Sequence, residues 1–289
     1  VGSSERTGRT PRIAYSEPTL VRAGTATPYR WGDDSSGFVE DEVLISSTAL
    51  HSIIFTMPAG GSFVHSRENP TIFGADIVYV VLSGRLLLAD PERAQLALAE
   101  AGDALFFRRD TWHDGFNRSA EPVRVLELFA PTPAVGASSA YAKAQPYLEH
   151  SSYADDAVIG HWPASAPDVL RDRRIELVGQ ALRSLRLEGD VLWAIIASTE
   201  NLHAATGELF RGGVGPSRRY GGDAILHLTG GRVIATTGHA GATVEHLAGA
   251  GDSLLVPQGA SLGLRCPDDA QATFILGVAP AYDEQRTVS

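Results

Sequence analysis

Residues 43–131 recur, altered, at 191–280, and a chain made of two copies of one unit has few folds open to it. Leu50-His51 through Gly60-Gly61 has the same length as Leu202-His203 through Gly212-Gly213, an offset of 152. Asp76 through Leu86 aligns without a gap on Asp223 through Val233, an offset of 147. Gly102 to Phe107 falls on Gly251 to Val256, and Phe129-Ala130-Pro131 on Val278-Ala279-Pro280, both at an offset of 149. So small a drift means one loop of unequal length, and the short period of a solenoid is absent. Duplication also supplies a comparison within the molecule. Where the copies differ at a polar, inward-facing position, the difference points to the copy that does chemistry.

A length of 289 residues suits two domains. The net charge is −10, with no basic stripe, which argues against nucleic acid and anionic membranes as partners. A single cysteine, Cys266, rules out an intrachain disulfide and a multi-thiolate zinc site, and fits a reducing cytoplasm. Apolar runs such as Val191 to Ala197 and Ile77 to Leu82 are too short to span a bilayer. Val1 to Pro18 is polar, lacks an apolar signal core and reads as an arm.

Each copy is a series of short strand signals split by glycine. In the first they are Leu50 to Met57, Asp76 to Leu88 broken by a Ser83-Gly84 hairpin turn, Gly102 to Phe107, and Pro122 to Phe129. In the second they are Val191 to Ala197, Ala224 to Leu228, Ser253 to Val256 and Thr273 to Val278. Strands without helical periodicity predict an all-β chain of antiparallel barrels or sandwiches. Thr132 to Pro146, between the copies, is rich in Ala, Pro and Ser. From Asp168 to Leu187, the apolar positions Val169, Leu170, Ile175, Val178, Leu182 and Leu185 predict one helix packed as a connector. The expected units are an arm over 1–35, a first domain over 36–131, a connector over 132–188 and a second domain over 189–289. Leu20 to Trp31 either closes an edge of the second domain or crosses to another subunit. A homodimer with the arm contributing is the expectation.

Gly102 to Asn117 places His113 and Asn117 after a glycine, a five-residue spacer and a turn. Gly60 to Gly84 holds His65, with Phe63 or Arg67 where a second histidine of an H-x-H pair would stand, and Asp76 before the hairpin glycine. With these two motifs the chain resembles the cupin superfamily, and specifically the two-barrel bicupins, over about two thirds of its length. The resemblance implies two tandem cupin (jelly-roll) barrels. In metal-bearing cupins it also implies a divalent metal held by three histidines and a carboxylate near the barrel mouth. Here Arg108 stands for the usual proline and Asp110 for the usual glycine. Asp76 lies eight residues before Gly84, where seven is usual, so it needs a bulge to point inward.

His65, Asp76 and His113 would make a two-histidine, one-carboxylate face with positions open for water, substrate or oxygen. Such a face favours Fe2+, with Zn2+, Mn2+ or Ni2+ as alternatives. The other reading is that His65 and His113 are hydrogen-bonded barrel histidines. His51 is a possible further ligand, but His203 holds its place in the second copy, which favours a structural role. Phe63, Arg67, Phe107, Arg109 and Trp112 are expected around a small-molecule substrate, with an arginine fork for a carboxylate. In the second copy Leu262 replaces His113, Cys266 replaces Asn117, and Gly213 to Tyr220 contains no histidine. That barrel is expected to be structural, with His227 as a core histidine able to face inward. No P-loop, dinucleotide fingerprint, nucleophile elbow or zinc-protease helix is present. The expected function is a metal-dependent enzyme of cupin dioxygenase type acting on a small organic molecule. Isomerase, hydrolase or lyase chemistry and a non-catalytic binding barrel are the alternatives.

Overall fold

A computed structural model describes residues 10–64, 73–91, 95–109, 111–132, 153–156, 160–163, 174–267 and 270–280. His65, Arg67 and Asp110 lie outside these residues, as does Asp168 to Arg173 of the connector. The described chain is almost entirely antiparallel β, as the strand signals require. None of its helices is long and apolar enough to cross a membrane.

The first barrel's main sheet has seven strands. In spatial order they are Ile175–Val178, Ala104–Phe107, Asp76–Ser83, Val123–Ala130, His51–Met57, Gly37–Ser46 and Thr27–Asp33. A smaller sheet of Ser62–Phe63, Asp114–Phe116, Arg85–Asp90 and Gln95–Glu100 closes over it. The second barrel repeats the main order with Thr19–Val21, Ser253–Val256, Asp223–His239, Ala272–Ala279, His203–Leu209, Val191–Ser198 and Ser184–Glu188. Even the two Ala-Pro bonds, Ala130-Pro131 and Ala279-Pro280, are alike in being cis.

The two sheets match in a further respect. The outermost strand of each comes from the run of chain leading into the other barrel. Thr19–Val21, which leads into the first barrel, pairs with Ser253–Val256 of the second. Ile175–Val178, which leads into the second barrel, pairs with Ala104–Phe107 of the first. Gln95 fixes the latter strand, donating to the Ile175 carbonyl and accepting from the Arg174 and Ile175 amides at 2.9 and 3.1 Å. The amino-terminal strand is held by Arg22, which meets Asp252 at 2.7 Å. Of the stretch Leu20 to Trp31, Leu20 and Val21 close an edge of the second barrel, whereas Thr27 to Trp31 pair with Gly37–Ser46 in the first barrel's own sheet.

The connector helix is not formed where the chain is described. Strands Ile175–Val178 and Ser184–Glu188 stand there, joined by a single 3-10 turn at Gln180–Leu182. The cause is tertiary: each strand finds an unpaired sheet edge, and a full ladder outweighs a weak helical period.

Three apolar cores result. Each barrel encloses one, built from alternate residues of its strands. The third lies between the barrels and joins Val78, Val80, Leu126 and Leu128 to Ile225, Leu255 and Ile275. Along Asp76–Ser83, therefore, Ile77, Tyr79 and Val81 face into the first barrel, while Val78 and Val80 face the second.

Candidate functional site

The alternation along Asp76–Ser83 decides the fate of the expected carboxylate ligand. Asp76 shares the face of Val78 and Val80, pointing away from the first barrel's interior. Arg108 grips it with two bonds, Nε to Oδ1 at 3.0 Å and Nη2 to Oδ2 at 3.2 Å. Thr199 donates to Oδ2 at 2.7 Å and Asn201 at 3.2 Å, both from the second barrel. Asp76 is thus a fully buried clasp between the barrels, and its assignment as a metal ligand is corrected. The residue seven before Gly84 is Ile77, which does face inward and carries no donor atom.

His113 is where the motif puts it, buried in the first barrel. Its ring is 4.6 Å from Phe107 and 6.0 Å from both Phe63 and Tyr79, centroid to centroid. Nδ1 lies 3.1 Å from the Thr111 carbonyl, which can only accept, so Nδ1 carries the proton. Nε2 is left to accept from the Tyr79 hydroxyl at 3.2 Å. Burial, followed by the neighbouring Glu127 and Asp41, raises the Tyr79 pKa well above its usual value and keeps the phenol protonated.

His51 faces the same interior, but its Nδ1 meets Ser46 Oγ at 3.0 Å. In the second barrel His203 meets Ser198 in the same way at 3.2 Å. A bond made in both copies is a scaffold feature. Burial, with Arg12 assisting, lowers the His51 pKa to about 4, so its ring is neutral near pH 7. Of the expected pocket residues, Phe63 and Phe107 are buried beside His113, and Trp112 is fully buried. Arg109 is instead exposed, because the turn after Ala104–Phe107 carries its charged head to solvent, so it does not line the interior. Asn117 is structural: its side-chain amide donates to the carbonyls of Met57, Pro58 and Glu121 at 3.2, 2.9 and 2.8 Å.

Among the described residues no three His, Cys, Asp or Glu side chains converge to hold a metal. With Asp76 turned outward, Ile77 in the carboxylate place and His51 bonded to Ser46, the described residues do not fit a metal centre.

The interior holds polar groups that motif spacing did not pick out. Asp41, on Gly37–Ser46, and Glu127, on Val123–Ala130, both alternate inward with the core residues Val39, Val43, Val125 and Phe129. Both are buried, and Asp41 Oδ1 has no hydrogen-bond partner among the described residues. Glu127 lies directly opposite Tyr79 and Ile53, while Asp41 lies opposite Phe55 and Tyr29, one inward row away. Burial raises both carboxyl pKa values well above the usual range; Asp41 raises that of Glu127 further, as Glu40 does that of Asp41.

The second barrel gives these positions their meaning. At the matching register, Trp193 stands for Asp41, Leu226 for Tyr79, Leu262 for His113 and Leu276 for Glu127. All four belong to its apolar core. Both sets are buried: Glu127 keeps 5 % exposure and its counterpart Leu276 0 %, while Asp41 and Trp193 each keep 5 %. The repeat offsets alone could have found this set, because they align every polar member with a hydrophobe. His227 is not an interior residue. It shares the outward face of Ile225, bonds Ser253 Oγ at 2.9 Å and lies between the barrels.

A comparison with protein-family models and with curated proteins returns no match. Solved structures do match. The chain superposes on a putative glyoxylate-induced protein from Pseudomonas aeruginosa with TM-score 0.64 and 9 % identity, covering 93 % of this chain and 91 % of that one. For the oxalate decarboxylase of Lactobacillus farciminis, in a formate complex, the values are 0.61, 13 %, 94 % and 89 %. For procruciferin, an 11S globulin from Brassica napus, they are 0.60, 10 %, 92 % and 85 %. Identities this low carry the fold alone. The neighbours pair an oxalate decarboxylase with an 11S globulin, so they separate no activity. Two like barrels, their matching strand order and these superpositions identify the chain as a bicupin in fold.

Proposed function

We propose that the first barrel handles a small organic molecule by acid–base chemistry, and that the second barrel supports folding and assembly. One observation carries the reading: Asp41, Tyr79, His113 and Glu127 are Trp193, Leu226, Leu262 and Leu276 on the same scaffold. Burying polar groups is costly, and the second barrel shows that the scaffold does not need them. Groups kept against that cost are best explained by a ligand.

His113 Nε2 and the Tyr79 hydroxyl form an acid–base pair held by fixed partners. When the Tyr79 hydroxyl turns from Nε2 to a ligand oxygen, the freed Nε2 lone pair takes a proton from a ligand C–H or O–H. The Tyr79 hydroxyl donates to the oxygen on which negative charge gathers. Phe63, Phe73 and Phe107 around His113 exclude water and suit an apolar body. The residues that carry this reading, His113 and Tyr79, are suited to proton transfer of the isomerase or lyase kind.

The test is ligand-observed NMR on the full chain in deuterated solvent, screening small organic molecules for binding and for exchange of acidic C–H groups. His113→Leu, which installs the second barrel's residue, is expected to lower exchange by roughly a hundredfold while its melting transition stays cooperative. Exchange undiminished in that variant would sink the assignment. Binding lost without any exchange in the parent would reduce the barrel to a carrier.

A further inference from the structure

Asp41 and Glu127 are not used by the His113–Tyr79 pair, and neither is explained by packing. They stand on the two strands that flank His51–Met57, with Phe55 on that strand opposite Asp41 on one side and Val125 on the other. Around them the walls are aromatic. Phe55 meets Tyr79 at 5.4 Å and Phe63 at 5.9 Å between centroids, both edge-on, and Tyr29 faces Asp41 across the ladder. The ionisable groups facing the pair are Tyr79, Tyr29, His51 and His113, from the neighbouring strands and the turn before Asp114–Phe116. Among the described inward residues of this barrel there is no lysine or arginine. Two buried acids with no cation among the described inward residues, and one carboxyl oxygen with no partner there, leave this part of the barrel short of positive charge.

We propose that the first barrel binds a small organic ammonium compound, an amine on an apolar or aromatic body, with its charged head between Asp41 and Glu127. The proposal rests on the reading of this barrel as the ligand chamber and names the ligand class. An ammonium group supplies donors to the unpartnered Asp41 oxygen and offsets the repulsion between the two carboxyls. The ring faces that line the chamber are themselves weakly negative and attract a cation. Among the described inward residues an anion such as a dicarboxylate would meet two acids and no counter-charge. Glu127 and Asp41 hold protons more tightly when the site is empty, through burial first, with Asp41 acting on Glu127 and Glu40 on Asp41. Ammonium binding therefore expels a proton, and affinity rises with pH.

Three probes with one body and different heads test this: phenethylamine, 2-phenylethanol and phenylacetate, titrated calorimetrically into the full chain. The amine is expected to bind about tenfold or more tightly than either comparator. Its affinity should rise with pH, with proton release that scales with the buffer's ionisation enthalpy. Asp41→Asn with Glu127→Gln should remove the preference while leaving a cooperative melt. Glu127→Leu, already accommodated at Leu276 of the other barrel, is the second variant if the double change fails to fold. Amine preference that survives both variants, or no amine binding at millimolar concentration, overturns the proposal. If the alcohol or the acid binds best and His113→Leu abolishes it, the ligand chamber stands and only the cation assignment falls.

Discussion

Glu127 occupies a place that the second barrel fills with leucine, so its carboxyl costs stability wherever folding forces it to ionise. Its folded pKa lies above the usual 4.5, and that of Asp41 above 3.8. The native state then holds more protons than the unfolded chain, and stability falls as pH rises above the unfolded values. His51, His203 and His227 act in the opposite sense. Burial lowers each to about 4 from 6.5, so they favour the native state more as pH climbs through that interval. The two trends oppose each other through the interval in which the histidines titrate. Glu127→Leu is expected to lose the part of the fall in melting temperature with rising pH that its carboxyl causes, as scanning calorimetry of variant and parent would show. A variant as pH-sensitive as the parent would place the effect elsewhere. His113 and its replacement by Leu262 were legible from spacing. Asp76 was misjudged through parity: one residue of shift along a strand moves a side chain to the other face. Asp41, Tyr79 and Glu127 belong to no motif, and only a position-by-position comparison of the repeats makes them visible.

The strand signals between the glycines all became strands, because alternation and β-branched content agree with pairing that is available locally. The connector was read as a helix because its apolar spacing fits a helical face about as well as a strand. What chose between them was an unpaired edge in the far barrel, which no local window contains. The amino-terminal strand follows the same logic, and its removal has a definite consequence. A chain lacking residues 1–24 loses the partner of Ser253–Val256 and the Arg22–Asp252 ion pair. It is expected to melt at lower temperature and to gain mass in light scattering, since a bared edge templates association. A truncated chain with unchanged melting and mass would show that this strand adds nothing to the second barrel.

Between the barrels, matching positions of the two copies meet each other. Leu128 in Val123–Ala130 corresponds to Gly277 in Ala272–Ala279, and a side chain on Gly277 would stand 2.8 Å from both Leu128 methyl carbons. Gly277→Ala is expected to destabilise the chain by about 1–3 kcal/mol in urea unfolding. Leu128→Ala in the same chain should recover part of that loss, and additive effects would show the two positions to be uncoupled. Neither half closes its own sheet, since each lends its first strand to the other. That is the arrangement of two identical subunits gripping one another by exchanged arms, here threaded onto one polypeptide. Identical subunits must change together, whereas joined ones need not. One linkage lets Leu226, Leu262 and Leu276 fill one barrel with hydrocarbon while Tyr79, His113 and Glu127 keep the interior of the other polar.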